Sequence, residues 1–587
     1  MRRIRQVVAL ALALAAALLL PAGAWAQPVL PTLPQATVDT TMPAITGTTF
    51  TVGASGDLQG ALDSAAASDP NLNHLITVNV NNNFGTISLP ARAAGSGWIV
   101  VRSANIASLP VEGRRVAEAD ASNMPIITAP APPANAITDA GSTARHYRFI
   151  GFDIRGNASV KTTAVIILDE GHHFIFDRCL IRGDPTLGAR RGVQMNAGNT
   201  AVIHSRVWDF KENGADSQAI AAWNMPSVAA SRGPLLIDNN YLEGGGENVL
   251  FGGVDSSSDA QIPEDITVTR NHIAKNPAHQ AQTWTEKNLF ELKSVRRILV
   301  ERNLFENHWL DAQSHAIVFT VRNQSGGANW STVQDATFRY NLIRDIFNAY
   351  NHLGEDDAFV SVRMTRVHIH DNLWLDMAGH GGTSGAGQEG SLNMTWDHNT
   401  MLNLGTRAFA FSLGVAEENW KYQNSIWRRQ SFGIKGDLQS EGNNTINTYM
   451  TPGGVFTTNA LIAGNPVSYN QYPGNHFPAT DADVQFIDLT NNDLRLASGS
   501  PLKGVGTRNF GPVLSLDIGA DVEEVFSQIG WDSTSGRNAL TATFSAVTGL
   551  WVSVSDGGRP PVSSRPAVGD RPAVFDRPPV VDRPPVP

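Results

Sequence analysis

One motif recurs along most of the chain: a short alternating apolar strand, then Asn, then an apolar residue two positions on. It reads LLIDNNYLEG, ITVTRNHIAKN, ILVERNLFENHW, ATFRYNLIRDI, VHIHDNLWLDM, MTWDHNTMLN and WKYQNSIWR, with the Asn at 240, 271, 303, 341, 372, 399 and 424. Earlier copies, FIGFDIRG and FIFDRCLIRG, carry Phe152 and Cys179 in that slot, and Arg206 follows them. Successive slots are 27, 27, 34, 31, 32, 38, 31, 27 and 25 residues apart. Strands of this length at this period, with no helical pattern between them, predict an all-β solenoid, a right-handed parallel β-helix whose coils stack about 4.8 Å apart. Inward Val, Ile, Leu and Phe would fill its core. A buried amide needs partners, so the repeated Asn is expected to form a hydrogen-bonded ladder between coils, with Cys179 a small core residue in the same column. Asn-Gly and Asp-Gly turns are scarce, which argues against a propeller or sandwich.

The ends differ from the repeat. Residues 1–26 read as an export signal: Arg2, Arg3 and Arg5, an apolar run from Val7 to Leu20, and Ala24-Trp25-Ala26 before Gln27. That run is too short to span a bilayer, and no later stretch is long enough, so a secreted or periplasmic chain with no membrane span is expected. Residues 27–44 read as a linker and 45–525 as the β-helix. An amphipathic capping helix is expected within Thr51–Ala65, and LDIGAD (Leu516 to Asp521) lies in a closing segment. Residues 526–587 are a linker and a disordered Pro-rich tail, in which Arg559, Arg565, Arg571, Arg577 and Arg583 recur every six residues before Pro-Pro-Val or Pro-Ala-Val. The tail reads as a spacer, or as an arm for a wall or partner.

Charge narrows the ligand classes. Lys+Arg 44 against Asp+Glu 54 gives −10, and −13 once the three signal arginines are removed, so no broad cationic field exists for nucleic acid. The single cysteine excludes an intrachain disulfide and a cysteine zinc site. A parallel β-helix lines up outward side chains along one flank, which suits an extended polymer. The segment KNLFELKS (Lys287 to Ser294) alternates so that Leu289, Phe290 and Leu292 face the core and Glu291 and Lys293 face outward. Counting from the ladder puts Arg322 and Arg363 in the same outward column as Lys293, so an anion is expected there. Glu247, Asn248, Asp255, Glu286, Asn288 and Glu291 flank the column with hard oxygen donors of the kind Ca2+ takes. This set suits β-elimination on an acidic polysaccharide: a cation neutralises the uronate carboxylate, a base takes the C5 proton and an acid protonates the departing O4. The same Glu291 and Lys293 could instead be a plain surface ion pair.

At these residues the chain resembles the pectate-lyase superfamily over about residues 45–525. Leu292-Lys293-Ser294 and, one coil on, Val321-Arg322-Asn323 are similar to chondroitinase-B-like and alginate lyases. The resemblance implies Lys293 as base, Arg322 as acid, and Asn248 and Glu286 as calcium ligands. The family's second Glu falls at Asn288 here, a departure that Glu291 or Glu247 would have to make good. Lys287 and Arg363 are the further cationic candidates. A rival site lies downstream, where Glu355-Asp356-Asp357 and Gly379-His380-Gly381 resemble polygalacturonase-type glycoside hydrolases. There Asp356, Asp357 and His380 would serve hydrolysis. Asp356 and Asp357 read equally as turn residues of a loop. A third possibility is a non-catalytic glycan-binding β-helix; under the enzyme and the binder readings alike Trp284, Trp309, Trp330 and Tyr350 would stack on sugars, and a monomer is expected. His315, beside the groove, is a further proton carrier on position alone.

Overall fold

The computed structural model describes residues 29–528, apart from 132–133, 140, 376–381, 383, 403–405, 412–413, 492 and 508–515, with short strand pieces between 531 and 553. The expected export signal, the Pro-rich tail and His380 lie outside the described residues.

Apart from the end coils, each coil contributes one strand to each of three parallel sheets of 14, 12 and 13 strands, which wind into a right-handed parallel β-helix. The first sheet runs from Thr49–Val52 to Val455–Thr457, the second from Ile87–Leu89 to Ile434–Gly436, and the third from Asn83–Phe84 to Ala460–Ile462. Neighbouring coils pair in register, as in Val268↔Val300, Val300↔Phe338 and Phe338↔Ile369, so like side chains stack in columns down one core. Besides the aliphatics, that core holds Trp374, Trp396, Trp420 and Trp427, all fully buried, and Tyr350. Tyr350 therefore packs inside and is no sugar platform.

The Asn ladder forms, with two shifts of one residue. The Nδ2 of Asn240, Asn271, Asn303, Asn341 and Asn372 each donates to the Oδ1 of the next Asn at 3.0–3.1 Å. Upstream the slot belongs to Ser205 and not Arg206, since the Ser205 N–H donates to Asn240 Oδ1 and its hydroxyl accepts from the Cys179 N–H. Downstream it passes from Asn399 to Ser425 and Asn459, and Asn424 sits one residue early. The cause is local. The residue before each slot turns the chain through the left-handed region: Asn239, Arg270, Arg302, Tyr340, Asp371, His398 and Asn424 have φ of 48–57°. Such a conformation costs a non-glycine residue about 1–2 kcal/mol. The ladder amides, each bonded to the next coil, offset that cost.

A helix, Leu58–Ala66, covers the first coil with Leu58, Leu62 and Ala65, capped by the Asp57 side chain on the Gly60 N–H. It starts later than the sequence predicts because Thr49–Val52 is already a strand of the first sheet. At the other end a helix at Asn443–Tyr449 buries Ile446 and Tyr449 against the core. The LDIGAD segment instead lies on the third sheet's outer side, where Ile518, Val522 and Val525 pack on Leu342, Leu373 and Leu402. Residues 29–44, read from sequence as a linker, are strapped along the first sheet. The Thr32 N–H bonds Asp335, that of Gln35 bonds Asp265, Val38 packs on Ile175 and Ile203, and Arg148 donates to the Thr40 carbonyl.

Candidate active site

The second sheet carries the site on Gln218–Ala222, Glu247–Phe251, Phe290–Leu292 and His315–Thr320, consecutive strands of one ladder. Phe290 and Leu292 fill the core, as alternation predicts, Leu289 joins them from just before the strand, and Glu291 pairs with Leu250 and Val318 on the outer face. Outward here does not mean exposed: Glu247 is 0%, Glu291 3%, Lys293 5% and Lys287 7% accessible. The turn after Phe251 makes room for the lysine. Gly252 has φ +95°, and a β-carbon on it would come within 2.9 Å of Lys293 Cβ.

Ionisable groups from three coils converge on this face. Lys287 Nζ is 2.8 Å from Asp216 and 3.7 Å from Glu247, and Lys293 Nζ is 3.8 Å from Glu291. Gln218 donates to Glu247 at 2.7 Å and accepts from Arg191 at 3.1 Å. The Glu291 carboxyl lies against that of Glu247. Burial, with the charge on Glu247, pushes Glu291 up to about 8, against the pull of Lys293 and Lys287. The surface ion pair considered from sequence is here a buried amine beside a carboxyl whose protonated form burial favours. Asp216 is displaced the other way, held below the usual range by Lys287 against the cost of its burial.

The other expected residues divide between this face and its surroundings. Asn288 is fully buried one strand on from Glu247. Asn248 turns into the corner between sheets, its amide donating to the Leu242 and Ala274 carbonyls. Glu286 is held by His279, 2.8 Å away, and by Lys275 at 3.7 Å. The Arg322 backbone sits beside Lys293, its N–H donating to the Lys293 carbonyl at 3.1 Å, but its guanidinium is bound by Asp357 and, at 3.5 Å, by Asp356. Arg363 does not join the column. Glu418 and the carbonyls of Gly390, Ser391 and Ala416 hold its guanidinium, because the loop from Gly354 to Met364 carries it out of the strand ladder. Asp356 caps its own loop, accepting from the N–H groups of Asn323, Ala358 and Phe359. It is the turn residue read from sequence, and both members of the proposed pair, Asp356 and Asp357, already face Arg322. Asp255 likewise accepts from the Ser325 and Gly327 N–H groups. His315 is half-buried, and desolvation takes its ring down to about 4.

Sequence reasoning missed Asp216, Arg191, Lys275 and Trp223. The first three carry no motif, and only the wrapping of coils brings them here. Arg191 lies over the Trp223 ring at 5.0 Å, beside an open cavity of about 440 Å³ lined by Asp169, Gln194, Asn196, Trp223 and Asn224. Trp284 and Trp330 are half-buried, bonded to Gln282 and Ser256, and Trp309 is half-buried as well. Asp209, Glu243 and His279 form a group with ligand-type atoms within 4.8 Å of one another, and Lys211 stands 2.9 Å from Asp209.

No family model matches the chain, and neither does any curated protein. Among solved structures it is similar to the Dettilon tailspike protein, with 12% identity, TM-score 0.36, and 72% of this chain against 64% of that one covered. It thus spans less than two thirds of the tailspike. It is also similar to a pectate lyase, with 11% identity, TM-score 0.34 and 81% and 96% covered. A third is a mannuronic acid specific polysaccharide family 6 lyase from human gut microbiota, with 14% identity, TM-score 0.38 and 73% and 91% covered. At such identities the likeness is one of fold alone.

Proposed function

We propose that this chain is a polysaccharide lyase that cleaves a uronic-acid polymer by β-elimination on the second-sheet face. The observation that carries the reading is the buried meeting of Lys287, Lys293, Glu247 and Glu291 on adjacent coils. A solvated surface has no reason to desolvate two amines beside one another, and an anionic substrate supplies one. In this reading Lys293 takes the C5 proton and the C4–O4 bond breaks as the C4–C5 double bond forms. Lys287 gives a proton to the departing O4. Arg322, one coil on, exchanges Asp357 for the substrate carboxylate, for which its planar fork is suited. The Trp223 cavity lies upstream on the same sheet and would hold a further sugar through its amides and ring. The chain is proposed to work outside the cytoplasm after cleavage before Gln27, which the mass of the exported protein tests.

Ultraviolet absorbance during incubation with alginate, polygalacturonate and chondroitin or dermatan sulfate reads the new conjugated double bond. Lys293→Ala should lower the rate by roughly 10²–10⁴-fold, the usual worth of a general base, with an unchanged melting temperature. New reducing ends without absorbance would make the chain a hydrolase, and binding without either product would make it a glycan-binding protein.

A further inference from the structure

Calcium is the cation that the oxygen-rich composition of this region predicts, and the residues do not fit it. Each of the three glutamates it would need is already faced by an ammonium: Glu247 by Lys287 at 3.7 Å, Glu286 by Lys275 at 3.7 Å and Glu291 by Lys293 at 3.8 Å. The oxygens of Glu247 and Glu286 that lack a hydrogen bond, Oε1 and Oε2, are the ones turned toward those ammonium groups. A divalent ion 2.3–2.6 Å from the same oxygens would stand beside the lysine nitrogens and be repelled by them.

Lys275 is the most cation-like of the three. It follows the strand His272–Ala274 and is 1% accessible. Its Nζ donates to the carbonyls of Gly244, Gly245 and Gly246 at 2.7, 2.5 and 2.5 Å. The glycines make that seat possible. A β-carbon on Gly246 would meet the Ser217 backbone at 2.5 Å, so only glycine lets this turn pack down with its three carbonyls converging. Three carbonyls and a carboxylate around one buried charge is the environment of a bound metal ion, built here around a side chain. Lys211, bonded to Asp209 at 2.9 Å and 3.5 Å from His279, fills the neighbouring acid–histidine group in the same way.

We infer that the cation of this site is built in: the Lys275 ammonium, seated on the Gly244–Gly246 carbonyls and facing Glu286, supplies the fixed positive charge, and the site works without a divalent ion. The catalytic part of the inference rests on the lyase reading, and the cation part does not.

The test follows melting of the mature chain in EGTA and in calcium, calcium titration by calorimetry, and elimination under both conditions. The wild type should show no shift, no binding heat and the same rate. Lys275→Ala removes the ammonium and leaves the carbonyl seat open. It should lose roughly tenfold or more of the rate and acquire a calcium-dependent rise in melting temperature, as any ligand of the folded state alone gives. A calcium-dependent rise in the wild type that Glu247→Gln abolishes overturns the inference, with no variant of Lys275 needed. So does a Lys275→Ala protein that melts and turns over like the wild type. If Lys275→Ala fails to fold, Lys275→Arg, which keeps the charge, should restore folding, and failure to do so would overturn the built-in cation. Absence of elimination on every polymer would overturn the lyase reading instead, leaving the melting and titration data to decide the cation.

Discussion

At the scale of the residue, Glu291 separates what alternation predicts from what the site does with it. Period-two alternation places it outward, and it is outward, but loops on either side take it out of water. Its folded pKa, about 8, lies above the ordinary value of 4.5. The native state therefore keeps a proton that the unfolded chain releases. This contribution to stability is complete below pH 4.5 and lost as pH rises toward 8. Urea unfolding between pH 7 and 8, above the range in which the buried imidazoles act, should show stability falling with pH in the wild type and a flatter profile in Glu291→Gln, which cannot titrate. Equal slopes in the two proteins would mean that burial does not hold the proton on Glu291.

At the scale of the element, the coil is stabilised by its ladder residue and strained by the residue before it. Asn303 shows the balance: its amide donates to Val268, Glu301 and Asn341, and its Oδ1 accepts from the N–H and amide of Asn271. Asn303→Ala would leave the Asn271 N–H buried without a partner, at about 1–3 kcal/mol, and lose further bonds. Asn303→Ser should cost clearly less, since Ser205 and Ser425 occupy equivalent slots in this chain. Chemical denaturation of the two variants checks the order, and equal losses would show that the amide matters only as volume. The ladder was legible in the sequence because the same residue recurs. Its exact slot at Ser205 and Ser425 was not, because serine and asparagine are interchangeable only in the geometry of the turn. The strap of residues 29–44 was equally illegible, since its partners Asp265, Asp335 and Arg148 lie far away in sequence.

At the scale of the whole molecule, stacking buries many imidazoles. Desolvation brings His146 and His370 down to about 3, and His173 and His315 to about 4, all from 6.5. Below pH 6.5 the unfolded chain binds protons that these rings refuse, so their contribution to stability is present above pH 6.5 and lost as pH falls toward 4. The melting temperature should drop steadily across that window. A midpoint unchanged from pH 6.5 to 4 would mean that the rings are hydrated and titrate normally.

The sequence by itself determined the repeat, and with it the parallel β-helix, because period-two strands and a buried amide recur at one spacing and admit few other solutions. It also determined that Phe290 and Leu292 face the core and that Glu291 faces away from it, since alternation is a local property. The tertiary structure alone decided which charges meet. Arg363 leaves the column, Arg322 turns to Asp356 and Asp357, and Lys275, with no motif to mark it, seats its ammonium on three glycine carbonyls a coil away. Pairing across coils joins residues some thirty positions apart, and no local pattern encodes which side chain will fill the space that another turn leaves open.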